Sequence, residues 1–183
     1  PYDLQALLDS IGGKEAAEKR LDEMFRRLDA SYGDEWFASG NEPSFQIPWI
    51  YNWAGAPYKA QQVIRRILNE QYSSRVNGLP GNDDLGSMGA WYVFASIGLF
   101  PEIPGVGGFS VNSPVFRKIV LHLPEGDVII KGGDEKKEYI HSLSLDGKKM
   151  EGTWIDWSDL YRGATLEYKL SGKPDKTWGT RIA

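Results

Sequence analysis

The stretch Ser87-Met88-Gly89-Ala90-Trp91-Tyr92-Val93-Phe94-Ala95-Ser96-Ile97-Gly98-Leu99-Phe100 decides the architecture. Its apolar residues fall at Met88, Ala90, Trp91, Tyr92, Val93, Phe94, Ala95, Ile97 and Leu99, which leaves no continuous polar side. A helix without a polar stripe has no face to offer to water and is buried all round. The segment therefore predicts an inner helix of a multi-layer helical assembly.

The residues before it are also helical in pattern. Ala17, Leu21, Met24, Phe25 and Leu28 recur at helical spacing, with Lys19, Arg20, Asp22, Glu23, Arg26 and Arg27 between them. Gly12-Gly13 separates that helix from a shorter one over residues 2–10. Pro57 suits the first turn of a third helix, whose apolar face is Ala60, Val63, Ile64, Ile67 and Leu68. After Phe100 the period changes. Pro101, Pro104, Gly105, Gly107 and Gly108 break the helix. Short β-like runs follow at 118–123, 127–131, 138–145 and 165–170. Pro124-Glu125-Gly126 and Asp146-Gly147 sit between runs as hairpin turns. Trp154 to Leu160 reads as one helical turn with Asp156 as its N-cap. The division expected is a helical part over 1–104 and a β-rich segment over 105–183.

Composition narrows the chemistry. The chain has 183 residues, 41% hydrophobic and 25% charged, with a formal net charge of −4. That charge disfavours a nucleic-acid backbone as partner. The whole acidic excess lies in the first hundred residues. No apolar run approaches the ~20 residues that span a bilayer. With no cysteine and two histidines, thiolate zinc sites, cysteine nucleophiles and three-histidine metal sites are excluded. His122 and His141 each follow an apolar neighbour on a strand and read as ordinary outward-facing strand residues. What remains is carboxylates, amides and aromatic faces, the last at 13% of the chain.

Two loops carry those groups. The first is Gly40-Asn41-Glu42-Pro43-Ser44-Phe45-Gln46-Ile47-Pro48-Trp49-Ile50-Tyr51-Asn52-Trp53. Glu42 precedes a proline, which pushes its backbone to an extended form and fixes where its carboxylate leaves the chain. Asn41, Gln46 and Asn52 add amides, and Trp49, Tyr51 and Trp53 add rings. Such a set serves a sugar or a hard cation; it also serves as a polar loop feeding a core helix. The second is Gly78-Leu79-Pro80-Gly81-Asn82-Asp83-Asp84-Leu85-Gly86, immediately before the apolar helix. Either aspartate can cap that helix. Alternatively one of them polarises a water or binds a metal.

Taken together, these segments resemble glycoside hydrolase family 92, the calcium-dependent, inverting exo-α-mannosidases. The resemblance rests on residues 40–44 (GNEPS) with Ile47-Pro48 and Tyr51-Asn52, on 81–86 (GNDDLG), and on 90–94 (AWYVF) running to Leu99-Phe100-Pro101. Pro1-Tyr2-Asp3 and Gly12-Gly13 look like the family's stretch just past its catalytic acid. The resemblance implies part of an (α/α)6 helical toroid followed by a β-sandwich-like C-terminal segment. It implies hydrolysis of terminal α-mannosides, with Asp84 as general base and Asn82 orienting the water or the base. It gives Glu42 to calcium, and Asn41, Glu42, Phe45 and Gln46 to the substrate. Phe45 and Gln46 stand where the family often has histidine, so a linkage or leaving group other than the usual is implied. The family's acid glutamate lies upstream of the position of Pro1. The isolated chain is therefore expected to be inactive, with α-mannoside glycans and the upstream portion of the same enzyme as its partners. A secreted, periplasmic or cell-surface location goes with the resemblance. Two other readings compete: a carbohydrate-binding module with Trp49, Trp53 and Tyr58 stacking on sugar, and a structural helical module in which both acidic loops are caps.

Overall fold

A computed structural model describes residues 2–31 and 33–180. Pro1, the first residue of one stretch likened to the family, lies outside the described residues.

Five α-helices build the first part: α1 (Leu4–Ile11), α2 (Lys14–Met24), α3 (Ile50–Trp53), α4 (Pro57–Glu70) and α5 (Ser87–Ile97). Asp3 starts α1, its Oδ1 accepting the Ala6 N–H at 2.9 Å. Gly12 ends the helix in the left-handed region. Leu4, Leu8, Ala17 and Leu21 turn the first two helices onto one core with Phe25, Trp49, Tyr51, Ile64 and Trp91. Trp49 is fully buried and stacks on Phe100, centroids 5.0 Å apart and 10° from parallel. Between α2 and α3 the chain wanders through a bridge (Asp29 to Ala38) and two 3-10 turns, Glu42–Ser44 and Ile47–Trp49.

Helix α5 corrects one expectation. Met88, Trp91, Ala95 and Ile97 are buried, but Tyr92 and Val93 are 41% and 57% exposed. The packed helices and the β part lie against one side of α5 only, so its apolar character exceeds what this chain covers. Five α-helices among the described residues are also fewer than a ring of six helix pairs contains.

The second part is sheet. Strands β1 (Leu99–Phe100), β2 (Gly108–Val111) and β7 (Trp154–Asp156) form a three-stranded antiparallel sheet. Strands β3 (Lys118–Leu123), β4 (Gly126–Lys131), β5 (Tyr139–Leu145), β6 (Lys148–Met150) and β8 (Ala164–Ser171) form a five-stranded one in the order β3-β4-β8-β5-β6. Only β4 and β8 run parallel within it. Both sheets bury residues in one cluster, Leu99, Val111 and Ile155 from the smaller, Ile130, Ile140 and Leu166 from the larger. The β5–β6 turn uses Asp146 and Gly147, both at positive φ as a tight hairpin requires. Residues 154–160 are less helical than expected: β7 precedes a single 3-10 turn, Trp157–Asp159, because Trp154 and Ile155 pair with Ser110 and Phe109.

Helix α4 ties the two parts together. Gln61 Oε1 accepts the Ile140 N–H at 2.9 Å, at the point where the β5–β8 register slips. Arg65, 3% exposed, donates to the carbonyls of Asp134 and Glu135 at 2.9 and 3.1 Å. Its other nitrogen reaches Ser113 and Pro114.

Candidate active site

The two acidic loops meet through their glycines. A Cβ on Gly40 would lie 2.6 Å from the Pro80 carbonyl oxygen, and one on Gly81 would run into the backbone of Gly40. Only two residues without side chains let these backbones cross so closely. Asn41 and Glu42 follow one glycine, Asn82, Asp83 and Asp84 the other.

Beyond the crossing the aspartates diverge. Asp83 serves the first turn of α5, whose N-cap position is Gly86: its Oδ1 accepts the Gly89 N–H at 3.0 Å, and its carbonyl accepts the Ser87 N–H at 2.8 Å. The residues after it, Asp84 (φ 45°), Leu85 (φ 61°) and Gly86 (φ 88°), are three left-handed residues in a row. That geometry costs a side-chain-bearing residue about 1–2 kcal/mol. It carries the Asp84 carboxyl to that of Glu42, with which it shares a hydrogen bond.

Two carboxyls in contact cannot both be ionised cheaply, so they split in affinity for the proton. Asp84 is raised, first by the hydrogen bond with Glu42, then by desolvation and by the negative charges of Glu42 and Asp83. Glu42 is lowered, first by Asp84's hydrogen bond and then by one from its own backbone N–H. Of the two, Asp84 has the higher affinity for a proton.

The other sequence candidates surround this pair unequally. Asn41 is half-buried and its carbonyl accepts the Ser44 N–H at 2.9 Å. Asn82 is exposed. Phe45 is spent largely on packing: its ring lies 6.3 Å from that of Trp91, whose Nε1 donates to the Phe45 carbonyl at 3.0 Å. Gln46 is half-buried, and its carbonyl accepts the Trp49 N–H that closes the second 3-10 turn. Of the three rings the binding-module reading would stack on sugar, Trp49, Trp53 and Tyr58, one is buried and two are half-buried. Trp49 is buried, and Trp53, half-buried, donates its Nε1 to Glu102 at 3.0 Å.

Calcium takes six to eight oxygen ligands, carboxylates and carbonyls among them. The crossing loops carry that donor type: two touching carboxyls, with the amides of Asn41 and Asn82 on the same loops. No cluster of three or more His, Cys, Asp or Glu suited to a metal occurs among the described residues. The donors fit part of a calcium shell, whose remaining positions would fall to water and substrate oxygens.

Sequence reasoning missed two features of this region. One is the Gly40–Gly81 crossing, whose only signal was the Gly-Asn pair that precedes the carboxylates in each loop. The other is Trp36, which lines a concavity of about 560 Å³ with Asn41 and Pro80; no spacing marks it.

Comparison with known proteins places this chain among the glycoside hydrolases. The chain belongs to glycosyl hydrolase family 92: the model of that family's catalytic domain matches residues 1–172. The structure of the family GH92 α-mannosidase BT3965 from Bacteroides thetaiotaomicron superimposes with a TM-score of 0.89 at 32% identity, covering 99% of this chain and 25% of that one. The inverting mannosidase BT2199 of the same organism gives 0.87 at 28% identity, covering 98% of this chain and 27% of its own. An uncharacterized secreted glycosidase of Arthroderma benhamiae is 32% identical over 98% of this chain and 23% of its own length. The chain thus spans about a quarter of the relatives it matches. Among the described residues no helix is long and apolar enough to cross a membrane.

Proposed function

We propose that this chain supplies the base-and-metal half of a calcium-dependent, inverting exo-α-mannosidase. The observation that carries the reading is the contact between the Glu42 and Asp84 carboxyls, made while Asp83 serves the first turn of α5. A capping aspartate would have turned to the helix amides. Asp84 instead occupies strained backbone that aims it at a second carboxyl, and strain of this sort persists where function holds it.

Asp84 is the general base. Its raised proton affinity suits a group that must take a proton from water. Asn82 orients that water. Glu42 binds the metal and the sugar, with Asn41, Phe45 and Gln46 on the substrate side. Calcium, when bound, would hold sugar hydroxyls and favour a distorted ring. Glu42 cannot be the acid that completes the reaction. In inverting enzymes the acid and base carboxyls stand ~6.5–9.5 Å apart across the scissile bond. A pair in hydrogen-bond contact leaves no room for a sugar between them. As the family resemblance implies, the acid comes from the upstream portion of the enzyme, and the isolated chain has no mannosidase turnover. The open apolar side of α5 at Tyr92 and Val93, and the fully exposed Leu85 in the loop before it, support a place for further helices of an (α/α)6 toroid. A location outside the cytoplasm goes with this reading.

The test is Asp84→Asn in the complete enzyme, assayed on a terminal α-mannoside. The expected result is a loss of about 10²–10⁴-fold in turnover with the melting temperature kept. A variant that unfolds but retains turnover per folded molecule would return Asp84 to a capping role.

A further inference from the structure

Trp91 is a buried residue of α5 whose one polar side-chain atom leaves the helix for another segment. Its Nε1 donates to the Phe45 carbonyl at 3.0 Å, and the Phe45 ring lies against the same indole. Tyr72, just beyond the end of α4, stacks on that indole with centroids 5.9 Å apart and 11° from parallel. The Tyr72 hydroxyl donates to the Met88 carbonyl of α5 at 3.4 Å. Burial alone does not demand a bond to the indole nitrogen. Trp49, wholly buried in the same core cluster, has no partner for its Nε1.

Phe45 closes the turn that carries Glu42. Its N–H donates to the Glu42 carbonyl at 3.0 Å, and the Ser44 N–H donates to that of Asn41 at 2.9 Å. The segment 41–45 is therefore held at both ends. At one end Gly40 packs on the backbone of Pro80 and Gly81. At the other, Trp91 holds the Phe45 carbonyl. Both holds lead to one element, because residues 80–86 run directly into α5 at Ser87. Asp84 belongs to the loop that opens this helix, and Trp91 to its body. Helix α5 thus carries one carboxyl of the pair on its own loop and reaches the other through a hydrogen bond to its turn. Phenylalanine at position 91 would keep most of the apolar contact and supply no donor.

We propose that Trp91 is a positioning residue for the carboxyl pair: its indole N–H pins the Glu42 turn through the Phe45 carbonyl and so keeps the Glu42 carboxyl against that of Asp84. The consequence for turnover rests on the catalytic reading of Glu42 and Asp84; the anchoring of the turn does not. A shift of about 1 Å in a group at the reacting centre costs on the order of 100-fold in rate. Loosening one of two anchors costs less than that.

The experiment compares Trp91→Phe with Trp178→Phe in the complete enzyme. Trp178 donates its Nε1 to the Met150 carbonyl at 3.3 Å in the other core cluster, so its substitution removes a bond of the same kind. Two quantities are read: hydrogen exchange at the Ser44 and Phe45 amides, and kcat/KM per folded molecule on a terminal α-mannoside. Trp91→Phe should speed the exchange about fivefold, the factor one ordinary hydrogen bond is worth, and lower kcat/KM about tenfold. Trp178→Phe should change neither. Because Trp91 acts through Glu42, the loss in kcat/KM should shrink below about threefold in a Glu42→Gln background, whereas a general loss of packing would act there in full. Unchanged exchange at Ser44 and Phe45 overturns the proposal, as does an equal loss of kcat/KM with and without Glu42. If Trp91→Phe does not fold, Tyr72→Leu, which removes the ring stacked on the indole and leaves Trp91 in place, should show the same two changes; exchange equal to the parent's then overturns it. The two readings fail separately. Unchanged exchange with Asp84→Asn inactive removes the positioning role alone. Faster exchange with Asp84→Asn fully active removes the catalytic assignment alone.

Discussion

Gly40 and Gly81 cross with their backbones in contact, and that crossing brings Glu42 to Asp84. A methyl group on Gly81 would meet the Gly40 carbonyl, and one on Gly40 the Pro80 carbonyl at 2.6 Å. Backbone cannot yield as a flexible side chain does, so alanine at either position forces the loops apart. Gly81→Ala should cost about 1–3 kcal/mol in thermal or urea unfolding. An unchanged melt would mean that the loops separate freely and that the crossing does not hold the pair.

The two aspartates should respond oppositely to mutation. Asp83→Ala removes the acceptor for the Gly89 N–H and should destabilise the chain by about 1 kcal/mol. Asp84→Asn removes no helix cap and should melt with the parent. Equal losses from both would show that α5 depends on either carboxylate.

Glu102 makes stability fall as pH rises toward neutrality. It is wholly buried beneath Trp53 and Ser110, which both donate to its Oε2, while Oε1 has no partner. Burial raises its pKa to about 7, against the two hydrogen bonds that lower it. Between about 4.5 and 7 the folded chain therefore holds a proton that the unfolded chain has released. The stabilisation is complete below the unfolded value and lost as pH climbs through the folded one, an effect on the order of 3 kcal/mol. Urea melts from pH 4.5 to 8 should show this decline, and Glu102→Gln should flatten it. A Glu102→Gln profile that falls as steeply as the parent's would place the titrating group elsewhere.

Arg65 should be irreplaceable by lysine. Its planar fork serves carbonyls from two separate segments, 113–114 and 134–135, and one ammonium cannot span both. Arg65→Lys should cost about 2–3 kcal/mol, since it leaves buried carbonyls unpaired. A loss below about 0.5 kcal/mol would show that water replaces the lost donors.

Calcium should raise the melting temperature of the chain in proportion to the logarithm of its concentration once above the dissociation constant. Glu42→Gln should abolish that rise, because an amide oxygen is a weaker ligand for a hard cation. A rise that persists in Glu42→Gln would move the metal to other residues.

How much of this was legible beforehand depends on the range of the interaction. Strand β3 falls on the residues its alternation marks, and α4 begins at the proline that sets its first turn. His122 and His141 are exposed as their strand positions indicate, each paired with an aspartate. The bare side of α5 was not legible, because an apolar helix declares its need for cover and not what provides it.

The order of helices and strands, the hairpin turns and the two acidic loops follow from residue periods of a few positions, where propensity and patterning act directly. The meeting of Glu42 with Asp84 joins positions about forty residues apart. It exists only because α4 and its flanking loops return the chain to Gly40. The burial that raises the proton affinity of Glu102 arises the same way. Desolvation and carboxyl–carboxyl coupling depend on distance in space, which a linear string of residues does not contain.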